Sequence, residues 1–153
     1  MKKIISKNPL FFAFFFPALV DGLVTLVGQD TSYWTKRVVN EASPAYYFLL
    51  VSPWLFLLGL IIWFVFWYWL FKRLKESLNL FLMFLFLAGH SWGSGGWLMK
   101  ILKQSGVYTP GNQLSIIFVW SIVVLYFAFI ALFATYCLRI YMECYNCPKH
   151  STK

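Results

Sequence analysis

The stretch AYYFLLVSPWLFLLGLIIWFVFWYWLF, residues 45–71, contains twenty-seven residues without a single charge. A helix needs about 20 predominantly apolar residues to cross the hydrocarbon core of a bilayer, which is ~30 Å thick. This stretch is therefore predicted to form one membrane-spanning helix. Three further apolar stretches of sufficient length lie around it, at residues 9–28, 78–99 and 114–138. The expected fold is an all-α membrane protein, a bundle of four transmembrane helices.

The composition of the whole chain agrees with this prediction. Hydrophobic residues make up 61% of the sequence and charged residues only 12%, whereas a soluble domain has roughly a quarter charged residues. The segments lack the strict alternation that is typical of barrel strands. We expect one transmembrane domain over residues 1–143, followed by a short tail over residues 144–153. The first apolar stretch is expected to be a retained helix, because no small-residue cleavage site follows Asp21-Gly22.

The basic residues are distributed unevenly over the connecting segments. With a cytoplasmic N-terminus, four of the 13 Lys and Arg residues fall in the outer loops, and the inner segments hold the other nine. Positive charge collects on the cytoplasmic side of membrane proteins. Both termini are therefore predicted to be cytoplasmic, in a multi-pass protein of a cell membrane. The net charge of +8 indicates contact with the anionic lipid bilayer and not with nucleic acid.

Two ionisable side chains, Asp21 and His90, lie well inside apolar stretches. Each is ~18 Å from the start of its predicted helix, at 1.5 Å per residue, so both are expected at a similar depth. An isolated charge at such a depth is costly and commonly marks a functional site. We therefore expect the two to be coupled directly or through one water. Thr25 shares a helix face with Asp21, Ser94 shares one with His90, and Glu41 is expected to close the cluster from outside.

The segments VDGLVT and NEASP carry a resemblance. They are similar to a family of small prokaryotic membrane proteins of unknown function, whose pattern is an intramembrane D-x-x-x-T followed by E-x-N-P. Asp21, Thr25, Glu41 and Pro44 match that pattern, and Ser43 stands where asparagine is usual. The similarity covers roughly residues 15–60. It implies a shared architecture and a shared polar site, but it implies no particular activity.

The segment LFLAGHSWGSGGWLMK, residues 85–100, contains a G-x-S-x-G match around Ser91. A hydrolase elbow requires a turn from a strand into a helix, and this match lies inside a predicted transmembrane helix, so the pattern is interpreted as accidental. Gly89, Gly93 and Gly96 have the spacing of a groove for close helix packing. Packing is therefore the role predicted for these three glycines.

The tail has the spacing C-x-x-C-x-x-H, formed by Cys144, Cys147 and His150. Haem attachment requires C-x-x-C-H and is excluded. These three residues are weak candidates for part of a zinc site, completed by Cys137 or by a second copy of the chain. The alternative is a reduced tail that binds no metal.

Two classes of function remain open. The first is a non-enzymatic membrane protein, a small transporter-like unit or an accessory subunit, with an outward-facing site around Asp21 and His90 for a proton, a cation or a small polar ligand. A homo-oligomer or a larger membrane complex is compatible with it. The second is an intramembrane hydrolase, in which Asp21, Glu41 and His90 hold a metal or Asp21, His90 and Ser94 form a triad.

Overall fold

The computed structural model describes the backbone of residues 2–146 and the side chains of residues 2–143. This part of the chain is helical and contains no strand. Its seven helices are α1 (Lys2–Ile5), α2 (Pro9–Val27), α3 (Thr31–Lys36), α4 (Ala45–Val51), α5 (Pro53–Phe71), α6 (Glu76–Gln104) and α7 (Gln113–Asn146).

Three of the described helices are long and apolar enough to cross a membrane, namely α2, α5 and residues Gln113–Glu143 of α7. These helices indicate a multi-pass membrane protein. Helix α6 has 29 residues, which is a sufficient length at 1.5 Å per residue. It falls outside the set of apolar spans because glycine, serine and His90 fill much of its second half. Whether α6 is a fourth transmembrane helix therefore belongs to the proposed function and orientation of the protein.

The long helices run alternately up and down. At one end Lys2 pairs with Glu143 at 3.0 Å, and the Tyr141 hydroxyl donates to Glu76 at 2.6 Å. At the opposite end Lys100 pairs with Asp30 at 3.3 Å. We call the first the basic end and the second the Asp30 end. Helices α2 and α6 consequently run parallel to each other, and α2 packs against α6, α7 and α5.

The core of the half near the basic end is built from aromatic rings. Phe14 is fully buried, and its ring lies 5.2 Å from that of Phe86 and 6.1 Å from that of Trp63. Each aromatic pair contributes about 0.5–1.5 kcal/mol beyond the burial of its area. Between helices in a bilayer, such packing replaces the hydrophobic effect as the driving force.

The predicted helix over residues 45–71 is broken into α4 and α5 at Ser52. Pro53 has no N–H, so the Leu49 carbonyl one turn earlier cannot be satisfied within the helix. The Tyr33 hydroxyl donates to that carbonyl at 3.1 Å, and both residues are fully buried. Ser52 caps α5 by accepting a hydrogen bond from the Trp54 amide at 3.2 Å. The prediction of one uninterrupted helix was wrong because it did not consider this proline.

The other predicted boundaries were close but short. Residues 78–99 belong to α6, and residues 114–138 belong to α7, which both extend further. Apolarity marks only the portion of a helix that suits hydrocarbon, and the helical backbone continues into polar residues until a stop signal. Residues 109–112 form a type II turn, since Gly111 has a φ of 84° and the Asn112 amide bonds the Thr109 carbonyl at 3.2 Å.

Candidate polar site between α2 and α6

Asp21 and His90 meet between the two parallel helices. His90 Nδ1 lies 2.8 Å from Asp21 Oδ2, and the side chains are 27% and 20% exposed. The expected contact between these two residues is therefore present. An ionised Asp21 accepts the hydrogen of Nδ1, which fixes the imidazole tautomer. Pairing lowers the cost of placing two ionisable groups among apolar helices.

The absence of a side chain at Gly93 allows this contact. A Cβ added at Gly93 would lie 2.7 Å from Asp21 Oδ1 and 3.0 Å from Oδ2. Carbon and oxygen atoms do not approach so closely without a shift of the backbone or of the carboxylate. Gly93 thus brings the α6 backbone against Asp21, and its predicted packing role has a specific partner in the acid itself.

The packing role predicted for Gly89 and Gly96 is not found among the described residues. Both positions are exposed, and an added Cβ would meet nothing within 4 Å in the described part of the chain at either one. Gly95 is the second packing glycine of α6, because a Cβ there would lie 2.8 Å from Cζ of Phe127. Only Gly93 of the three predicted packing glycines therefore meets another helix among the described residues, and α7 contacts α6 at Gly95, on a different face.

The imidazole of His90 is held by aromatic rings on its other sides. Its centroid lies 5.3 Å from that of Trp63 in an edge-on arrangement and 6.2 Å from that of Phe86. Among residues 2–143, no side chain forms a hydrogen bond with Nε2 of His90. One ring nitrogen is thus committed to Asp21, and the other remains available for a ligand or a proton.

Ser94 lies one turn beyond His90 and is fully buried. Its hydroxyl donates to the His90 carbonyl at 2.6 Å and accepts a hydrogen bond from the Tyr126 hydroxyl at 2.7 Å. The serine therefore bonds the backbone of His90 and not its ring, so the triad Asp21–His90–Ser94 is not assembled. Ser91 likewise donates to the Leu87 carbonyl. Tyr126 was not foreseen, because α7 gave no sequence signal beyond its apolarity.

Thr25 and Glu41 do not extend the pair. Thr25 is buried one turn after Asp21, and its carbonyl accepts a hydrogen bond from Gln29 at 3.0 Å. The Glu41 carboxylate accepts from the Ser43 amide at 2.8 Å within its own loop. The proposed metal set of Asp21, Glu41 and His90 is not formed, and the described side chains contain no group of three or more metal-ligating residues. The tail candidates Cys144, Cys147 and His150 lie outside the described side chains, and Cys137 is buried.

A second polar cluster, around Asp30, was missed by the sequence analysis. Its carboxylate accepts hydrogen bonds from Asn40 at 3.2 Å, from Lys100 at 3.3 Å and from Gln104 at 2.7 Å. The hydrogen bond from Asn40, followed by that from Lys100, lowers the pKa of Asp30 below its ordinary value. These partners lie far apart in sequence, so no local spacing could have indicated the cluster.

A groove of about 300 Å³ lies along α6 between the two polar regions. Its lining residues come from the second half of α6 and from the loop before α4, and they are Asn40, Trp92, Gly93, Gly96, Trp97 and Lys100. Gly93 touches Asp21, and Asn40 and Lys100 both bond Asp30. The groove therefore leads from the Asp30 end of the bundle to the neighbourhood of the Asp21–His90 pair.

Comparison of the chain with protein-family models, with curated proteins and with solved structures finds no match. The resemblance to small prokaryotic membrane proteins, based on Asp21, Thr25, Glu41 and Pro44, stays a prediction.

Proposed function

We propose that this protein is a small transporter-like membrane protein whose Asp21–His90 pair takes up a proton. In this proposal α6 is the fourth transmembrane helix, the basic end faces the cytoplasm and the Asp30 end faces outward. The observation that carries the proposal is the 2.8 Å contact between His90 Nδ1 and Asp21 Oδ2, located between helices that are otherwise mainly apolar.

Placing Asp21 and His90 inside apolar helices carries a cost in free energy. A charged side chain in the middle of a transmembrane helix costs about 3 kcal/mol on insertion scales. A purely structural role would be served as well by two packed apolar side chains, which carry no such penalty. Helix α6 accepts both His90 and a reduced apolar content, which favours a role that needs the ionisable groups.

The groove favours access of an ion to the Asp21–His90 pair. It includes Gly93, beside Asp21, together with Asn40 and Lys100 at the Asp30 end, which favours the entry of an ion from that end. Nε2 of His90 has no hydrogen-bond partner among the described side chains, and neither side chain of the pair is fully buried. The charged groups that face this path are Asp30 and Lys100, which neutralise each other at its mouth.

The transport of protons tests the proposal. The full chain, reconstituted in vesicles containing a pH-sensitive dye, is exposed to a potassium diffusion potential that drives protons inward. We expect a proton flux that falls at least about tenfold, the equivalent of about 1.4 kcal/mol, in Asp21→Asn and in His90→Gln.

Glu41→Gln is the matched control, because it removes the charge of an acid that bonds only its own loop. Its flux is expected to equal that of the wild type. Equal flux in all variants, or no flux in the wild type, would overturn the proposal. The latter result is the one expected for an accessory subunit of a larger complex.

A further inference from the structure

A second cavity, of about 440 Å³, lies at the basic end of the bundle and is separate from the Asp21–His90 site. Its walls come from the start of α2, the end of α5, the first turn of α6 and the last part of α7. Its lining residues include Lys7, Asn8, Phe71, Lys72, Asn79 and Tyr141.

The charges at this cavity favour an anion. Lys7 precedes α2 and Lys72 follows α5, so the two ammonium groups belong to different walls. Among the side chains of residues 2–143, neither lysine forms an ion pair, and Lys72 Nζ lies 4.4 Å from the centroid of the Tyr68 ring. The acid Glu76 opposes an anion here, but its carboxylate already accepts the Tyr141 hydroxyl.

Asn79 adds a second and different requirement. Its amide group donates to the Phe71 carbonyl at 2.8 Å and to the Leu74 carbonyl at 3.3 Å, which fixes its orientation. Oδ1 is buried and has no hydrogen-bond partner within the described part of the chain, and the residue is only 9% exposed. A buried carbonyl oxygen without a donor is rare in native proteins. A ligand that supplies a hydrogen-bond donor as well as a negative charge would satisfy both Asn79 and the two lysines.

We propose that this cavity binds the headgroup of an anionic phospholipid that carries hydroxyl groups, as phosphatidylglycerol does. Its phosphate lies between Lys7 and Lys72, and a hydroxyl donates toward Asn79. A headgroup that ends in an ammonium group supplies a donor too, but it is repelled by the two lysines. The exposed apolar surface of α5 includes Phe66 and Trp69, and Trp69 lies three residues before Lys72, so the acyl chains of a lipid would pack along this helix beside the cavity.

The test uses the full-length protein in detergent and follows its melting temperature during titration with short-chain lipids. Phosphatidylglycerol is expected to raise the melting temperature in a saturable way, as a ligand of the folded state does. Phosphatidylmethanol has the same charge without a hydroxyl and should act more weakly. Phosphatidylcholine and glycerol 3-phosphate should have little effect.

The decisive variants remove two positive charges each. Lys7→Gln with Lys72→Gln should raise the phosphatidylglycerol concentration at half-effect about thirtyfold, since each lysine near an anionic lipid contributes about a factor of five. Lys3→Gln with Lys75→Gln is the control at the same end, and it should leave that concentration nearly unchanged.

Equal losses in both double variants would show unspecific attraction and overturn the proposal. An equal response to phosphatidylmethanol would overturn the role of Asn79, and a full response to glycerol 3-phosphate would assign the cavity to a soluble phosphate ester.

Discussion

The two halves of the bundle are stabilised in different ways, although α2 and α6 pass through both. Near the basic end these helices are separated by large rings, and Phe14 and Phe86 fill the space between them. Toward the Asp30 end the side chains become small, so that Asp21 contacts Gly93 and His90 directly. Among the described side chains, the first half has a packed core with no buried ionisable pair, and the second half has a polar pair and a groove.

In the transport that we propose, the two halves of the bundle have different roles. Ring packing excludes water and gives no path for an ion, whereas glycine and serine leave room for polar contacts and for solvent. In the proposed orientation the half near the basic end, which we call the aromatic half, is the barrier toward the cytoplasm. The half with the groove is the entrance. Transport through such a molecule requires a rearrangement that opens the aromatic half, which is the part with the larger cost of disruption.

The largest loss of stability is expected from a substitution in the aromatic half. Phe14→Ala removes a fully buried ring, and large-to-small changes of this kind cost about 3–5 kcal/mol. Phe66→Ala on α5 is the control, because Phe66 is 50% exposed and should cost less than about 1 kcal/mol, as surface changes do. Thermal unfolding in detergent measures both. Equal losses would mean that the aromatic half is not the stable part of the bundle.

In the half toward the Asp30 end, a larger side chain at Gly93 is expected to destabilise the protein by overpacking. Gly93→Leu places a side chain where a Cβ alone would lie 2.7 Å from Asp21 Oδ1, and overpacking costs typically about 1–3 kcal/mol. Gly89→Leu makes the same change on the exposed side of α6 and should be tolerated. Melting temperature and the fraction of folded protein after purification distinguish the two. If Gly89→Leu were the more harmful change, its exposed face would be a contact surface for another chain.

The coupling of Asp21 and His90 is the next effect in size. In a double-mutant cycle with Asp21→Asn, His90→Gln and the combination, we expect an interaction energy of about 0.5–3 kcal/mol, the range for residues in contact. Asp21→Asn combined with Glu41→Gln serves as the reference cycle and should be additive. The readout is thermal stability in detergent. Additivity in the first cycle would show that the 2.8 Å contact does not operate in the folded protein.

The helical fold and its apolar spans could be predicted from the sequence, because apolar length is a property of single segments. The contact of Asp21 with His90 was also predictable, since two costly groups at equal depth on parallel helices have few other partners. Gly95, Tyr126 and Asp30 were missed because their partners depend on the angle at which helices cross. The break at Ser52 is different, for Pro53 is visible in the sequence and was simply outweighed by the apolar run.

The smallest effect concerns pH at the mouth of the groove. The hydrogen bond from Asn40 and then the Lys100 ammonium lower the pKa of Asp30 from its ordinary value of 3.8. A carboxyl group with a lowered pKa stabilises the folded state above its ordinary value, and this contribution is lost as the pH falls through the lowered value. Because Asp30 is largely exposed, the contribution should stay below about 1 kcal/mol.

The measurement is the difference in melting temperature between wild type and Asp30→Asn as a function of pH, in which the titration of the other carboxyl groups largely cancels. The wild type should be more stable near neutral pH, and the difference should shrink once the pH falls below 3.8. A difference that stays constant across this range would mean that the pKa of Asp30 is the same in the folded and unfolded states, so that Asn40, Gln104 and Lys100 do not stabilise its ionised form. Asp30 and Lys100 would then not be coupled at the mouth of the groove, and a cation entering it would meet the charge of that lysine without this compensation.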